Sequence, residues 1–156
     1  MSSPWTYALS IRQPWAALII CGVKTIEIRR WPTAHRGRLL IHAASLPDPR
    51  EEGWRLVTPR MDELIHLRGG IIGMVDLVDC RRYRSRRDFL AEQELHRNDP
   101  SWYQPDLFGF ILANPEQVGF HPFKANVRLF RVALTPSAGK AKVVKTRQGK
   151  QRDESH

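Results

Sequence analysis

The sequence predicts an α+β fold built on short strands, and three observations carry that prediction. Residues 24–31, KTIEIRRW, alternate with period two, so that Ile26 and Ile28 share one strand face while Thr25, Glu27, Arg29 and Trp31 share the other. RLLIHAA repeats the alternation, with Leu39, Ile41 and Ala43 opposite Arg38, Leu40 and His42. In RQPWAALIICG the period changes. Trp15, Leu18 and Ile19 recur there at helical spacing, with Pro14 near the first turn and Gly22 as the stop.

In chain order, residues 6–11 read as the first strand and residues 12–22 as a short apolar helix, whose Trp15 is either a core contact or a stacking surface. The two alternating strands come next, joined by WPTAHRG, in which Pro32 and Gly37 are turn formers. SLPDPREEGW is a loop leading to a helix expected over residues 61–68 and ended by Gly69 and Gly70. GGIIGMVDLVDC is a β-branched strand, with Gly73 at a bend or a close backbone approach. Asp76 inside it is either held by a local hydrogen bond, exposed to water, or functional.

Arg81, Arg82, Arg84, Arg86 and Arg87 surround Tyr83, as a solvated loop and helix start or as a phosphate and base platform. SRRDFLAEQELHR continues as one amphipathic helix through Phe89, Leu90 and Leu95. LFGFILANPEQVGF and NVRLFRVAL are the last strands, separated by a loop punctuated by Pro115, Gly119 and Pro122. Periodicity is lost from residue 136, so the expected organisation is one domain over residues 1–135 and a basic, disordered tail over 136–156. The strand count fits a small barrel.

Composition narrows the function classes. A chain of 156 residues with 42% hydrophobic content forms one domain with a real core. Its net charge of +9 and pI near 10.3 favour a polyanionic partner over a merely solvated basic surface. Cys21 and Cys80 make no Cys-x-x-Cys or Cys/His cluster, which argues against a zinc site or a disulfide framework. No targeting segment or long apolar window stands out, so a cytoplasmic protein without membrane contact is expected. P-loop, dinucleotide-binding and Gly-x-Ser-x-Gly motifs are absent, and no cofactor is expected.

Residues 22–42 concentrate the polar chemistry. Glu27 and Arg29 project from one strand face and Lys24 enters from the preceding turn, so a carboxylate lies between two cations that hold it ionised. The trio is an ion-pair network bracing the strand, a pocket for a base edge and phosphate, or a lysine and carboxylate set for hydrolysis. His35, Arg36, Arg38 and His42 extend the positive rim.

LSIRQPWAALIICGVKTIEIRRW, HRGRLLIHAA, GMVDLVDC and GFILANPEQVGFHPFKANVRLFRV together resemble the ASCH domain. The Gly-x-Lys-x-x-Glu-x-Arg segment stands between the upstream Arg-Gln-Pro-Trp and the downstream His-Arg-Gly-Arg, over residues 9–132. The resemblance implies a PUA-like fold, a small mixed β-barrel flanked by helices, with a cleft beside the first helix and nucleic acid, chiefly RNA, as ligand. It assigns the motif to Gly22, Lys24, Glu27 and Arg29, with Gln13, Trp15 and Arg38 lining the same cleft, and Arg36 and His42 join them as candidate nucleic-acid contacts. Small bacterial relatives are similar to amidohydrolases of an acetylated cytidine nucleoside that use a Lys, a Thr three residues later and a distant Glu. Here Lys24 matches and Glu27 stands at the Thr position, leaving Lys24, Glu27 and Thr25 as the catalytic candidates of that alternative. Docking to a protein partner in an RNA-related or coactivator assembly is the third class.

Overall fold

A computed structural model describes residues 4–137 and 140–143, with side chains over residues 4–133. Seven strands form one curled sheet: β1 (Trp5–Ile11), β2 (Ile26–Arg29), β3 (Gly37–Ala43), β4 (Gly70–Tyr83), β5 (Leu107–Pro122), β6 (Leu129–Ser137) and β7 (Lys140–Val143). Their order across the sheet is β2-β5-β4-β3-β1-β6-β7. Among the described residues only β1 and β3 are parallel, with Leu9 beside Ile41 and Ser10 beside His42; the other pairings are antiparallel. The five α-helices among the described residues are short: α1 (Trp15–Ile20), α2 (Glu51–Trp54), α3 (Asp62–Ile65), α4 (Arg86–Ala91) and α5 (Gln93–His96).

Helix α1 is buried on every side, which explains a sequence apolar all round rather than along one stripe. It packs with Leu9, Ile11, Leu39, Ile41, Ile72 and Phe110 in the main core. Close contact with β4 depends on Gly73. A Cβ there would lie 2.4 Å from Ile20 Cδ1 and 2.6 Å from the Glu116 carbonyl, so only glycine lets helix and strand approach this closely.

A second core lies on the opposite face of the sheet, where Ala8, Leu40, Ile71, Phe123, Phe130 and Val132 pack together. Strand β3 is therefore buried on both faces, which corrects the expectation that Leu40 and His42 lie on a polar side. The segment carrying Phe123 covers that face.

Several boundaries also differ. A 3₁₀ turn (Pro59–Met61) and α3 replace the helix expected over residues 61–68. Strand β4 continues to Tyr83, so Arg81 and Arg82 are strand residues, ion-paired with Glu92 at 3.1 Å and Asp106 at 2.5 Å. The amphipathic helix is split in two at Glu92, after an N-cap in which Ser85 Oγ accepts from the Asp88 amide. Strand β5 runs past Pro115 to Pro122, tolerating proline where its register against β4 shifts. The ladder of β7 against β6 extends regular structure beyond residue 135, and residues 138–139 and 144–156 of the expected tail lie outside the described residues.

Candidate functional site

The strip of β2 that alternates in sequence forms one wall of a cleft of about 380 Å³ beside the start of α1. Lys24, Glu27 and Arg29 line it together with Ser10, Arg12 and Trp15, and the far wall brings Asp48, Arg50, Asn98 and Trp102. Four cations, Arg12, Lys24, Arg29 and Arg50, thus meet two carboxylates, Glu27 and Asp48. Arg12 is exposed and has no ion-pair partner among the described residues.

Lys24 is 2% exposed. Its ammonium donates to the His96 carbonyl and to Asn98 Oδ1 at 3.0 Å, and lies 5.1 Å from the centroid of the Trp15 ring. Burial draws its pKa down to about 8 against the opposing pull of Glu27. Glu27, 7% exposed, takes two bonds on Oε2 from Arg29, from Nε at 3.2 Å and Nη2 at 2.9 Å. Its Oε1 faces Lys24 Nζ at 3.6 Å, an ion pair just beyond hydrogen-bonding reach. The same Arg29 Nη2 donates to the Ser10 carbonyl at 2.9 Å, tying β2 to β1 although the two are not sheet neighbours.

Opposite, Asp48 is nearly saturated. Its carboxylate accepts from Trp15 Nε1 at 2.8 Å, from the Arg50 amide at 2.9 Å and from Arg50 Nη2 at 2.8 Å. Burial pushes its pKa upward, but these bonds outweigh that push and hold it at about 2. Arg50 in turn lies over Trp102, its Cζ 3.7 Å from the ring centroid. Behind Lys24, His96 is buried and stacked on Phe89; burial draws its pKa down to about 4, so the ring is neutral near pH 7.

Some residues expected in the site are elsewhere. Gln13 is 0% exposed and braces α1, accepting from the Ala17 amide at 3.0 Å and donating to the Leu64 carbonyl at 2.7 Å. His42 is 1% exposed in the second core, its Nε2 on the Phe123 carbonyl at 2.6 Å, so it is not part of a positive rim. Arg36 and Arg38 are exposed outside the cleft lining; Arg36 Nη1 donates to the Thr33 and His35 carbonyls. Thr25 does not line the cleft, and its backbone bonds to Leu95 and Leu112. Asp76 accepts from Asn114 Nδ2 at 2.9 Å, the local hydrogen bond that was one of its expected fates.

Conversely, sequence reasoning did not single out Ser10, Arg12, Asp48, Arg50, Asn98 or Trp102. A signal existed for two of them. Asp48-Pro49-Arg50 is a turn tripeptide whose aspartate bonds the amide two residues on. Among the described residues no group of three or more His, Cys, Asp and Glu is placed to hold a metal ion, and no helix is long and apolar enough to cross a membrane.

A curled mixed sheet with an apolar helix packed against it and a polar cleft at that helix's start is the PUA-like arrangement. A family model of the ASCH domain matches residues 9–123, and the chain belongs to the ASCH domain family. It is 33% identical over 135 residues to human activating signal cointegrator 1 and 34% identical over 137 residues to the Mus musculus protein of that name. Each match covers 81% of this chain but only 22% of the relative, so the chain spans about a fifth of their length. The crystal structure of ASCH from Zymomonas mobilis superposes with a TM-score of 0.52 at 16% identity, covering 74% of this chain and 72% of that one. A variant of the same protein gives 0.53 at 15% identity, covering 74% of each chain. These structures support the fold.

Proposed function

We propose that the chain binds nucleic acid, RNA or another single strand, in the cleft beside α1, with Lys24, Glu27 and Arg29 as its centre and a cytoplasmic, intracellular setting. The observation that carries this reading is the excess of four cations over two carboxylates in one cleft that also holds two tryptophans. Phosphates are drawn to Arg12, Arg29 and Arg50, while Lys24, Glu27 and Asn98 at the floor offer donors and acceptors to a base or sugar. Stacking is restricted, because Trp15 is nearly buried and Arg50 covers one face of Trp102, so hydrogen bonds and charge carry most of the recognition. The experiment is a titration of hexauridylate against the wild type and Lys24→Met at several salt concentrations. Binding that depends on Lys24 and weakens with salt supports the reading; equal binding by both proteins removes the cleft from it.

One observation favours a second reading, hydrolysis of an acetylated nucleoside in the same cleft: a lysine titrating near 8 beside a carboxylate is suited to proton transfer. Thr25 stands outside the cleft lining, so that role would fall to Lys24 and Glu27. Release of cytidine from acetylated cytidine, lost in both Lys24→Met and Glu27→Gln, would establish it; no release leaves binding as the function.

A further inference from the structure

The arginines of residues 81–87 lie outside the cleft lining and fall into two groups. Arg81 and Arg82 are neutralised by Glu92 and Asp106. Arg84, Arg86 and Arg87 are exposed and make no ion pair among the described residues. The adjacent carboxylate, Asp88, is exposed as well and pairs with none of them. Tyr83, the aromatic of the cluster, is buried edge to face against Phe89, with ring centroids 5.6 Å apart, so it offers no stacking face. Positive charge without a stacking surface suits a phosphate and not a base.

One continuous segment ties these arginines to the cleft. Strand β4 ends at Tyr83 and α4 begins at Arg86, so Arg84 stands in the connection and Arg86 and Arg87 open the helix. The inner side of α4 is anchored by the fully buried Phe89, stacked on His96 with ring centroids 4.2 Å apart. The His96 carbonyl in turn accepts from Lys24, and Asn98, two residues further on, bonds Lys24 and lines the cleft. Residues 84–98 therefore carry both the unpaired arginines and part of the cleft wall, and a strand leaving the cleft over that wall meets cations that no carboxylate has neutralised.

We infer that Arg84, Arg86 and Arg87 form a second, phosphate-binding surface, which holds the backbone of the strand whose nucleotide occupies the cleft and reads neither its bases nor its sugars. This rests on the nucleic-acid reading of the cleft. The two surfaces divide the work: the cleft supplies donors and acceptors at fixed positions, whereas the arginines add affinity in proportion to the phosphates they neutralise.

The test titrates dodecauridylate, dodecadeoxyuridylate and diuridylate, which reaches little beyond the cleft, at several salt concentrations. The proteins are the wild type, the triple variant Arg84→Gln, Arg86→Gln, Arg87→Gln, and the matching triple lysine variant. All three positions are exposed, so the urea midpoint should stay unchanged in both variants. Three phosphates at about 0.7 each predict that the glutamine variant loses up to about 2 from the slope of log affinity against log salt, equally for the two dodecamers, with diuridylate unaffected. The lysine variant, which keeps the charge, should keep the slope. An unchanged slope and affinity for the dodecamers in the glutamine variant, with binding still dependent on Lys24, overturns the second surface and leaves the cleft reading standing. Equal weakening of diuridylate and the dodecamers also overturns it, by placing the effect in the cleft itself, and so does a slope lost in the lysine variant as well. Failure of the wild type to bind either dodecamer overturns both readings.

Discussion

The two carboxylates of the cleft are built from the same parts and end in opposite states. Asp48 and Glu27 are both buried and each is bonded by an arginine, yet Asp48 receives donors on both oxygens while Glu27 keeps Oε1 without a hydrogen bond among the described residues. A saturated buried carboxylate is a brace: it fixes Trp15 and Arg50 and has nothing left for a ligand. An unsaturated one beside a drawn-down lysine is a group held ready. The difference is topological, since Asp48 sits in a turn whose own backbone and Arg50 fold back on it, whereas Glu27 sits on a strand whose outer edge faces the cleft.

The largest effect separating the two walls is expected from Asp48→Ala. Orphaning Trp15 Nε1 and Arg50 should cost about 3 kcal/mol, measured by urea denaturation, with little change in affinity for hexauridylate at temperatures where the protein is folded. The reverse result, unchanged stability with lost binding, would erase the distinction. The acid limb follows from the same group. Its folded pKa of about 2 lies below the ordinary 3.8, so its contribution is present above about pH 4 and is lost as pH falls toward 2; Asp48→Asn should flatten that limb.

Lys24→Met comes next, with hexauridylate affinity lowered about tenfold and stability by about 1–3 kcal/mol, because the carbonyl of His96 and Asn98 Oδ1 lose their donor. A change in stability alone would make Lys24 a brace like Asp48.

The pH dependence sharpens this further. Lys24 titrates near 8 when folded and 10.5 when unfolded, so between these values the unfolded chain holds the extra proton and the Lys24 contribution to stability rises with pH. Binding runs the other way: if the ammonium is what the ligand meets, affinity should fall about threefold between pH 7.5 and 8.5, and Lys24→Arg should remove that step. The smallest effect is expected from Arg36→Ala, outside the cleft lining, with affinity changing less than about twofold at physiological salt. A loss comparable to Lys24→Met would move the binding surface to the loop between β2 and β3.

Within the sequence, the face of β2 was legible because side-chain direction along a strand is a local property: period two puts Glu27 and Arg29 on one side whatever the rest of the chain does. The apolar helix and its stop at Gly22, which adopts φ 77°, were legible for the same kind of reason, as was the need for Gly73 at a close approach. The period in β3 was equally clear, yet it misplaced His42, because alternation says which residues share a face and not whether a distant segment will cover it. Phe123, 81 residues further on, covers it.

Tertiary structure alone decided the rest. It placed β2 at the sheet edge beside β5 rather than beside β3, joined Ser10 to Glu27 through Arg29, and carried Asp48, Asn98 and Trp102 to the wall opposite Lys24. A sequence fixes local geometry through the backbone of a few residues, whereas the partners of a buried charge are chosen by the packing of the whole chain, where an unsatisfied group costs most.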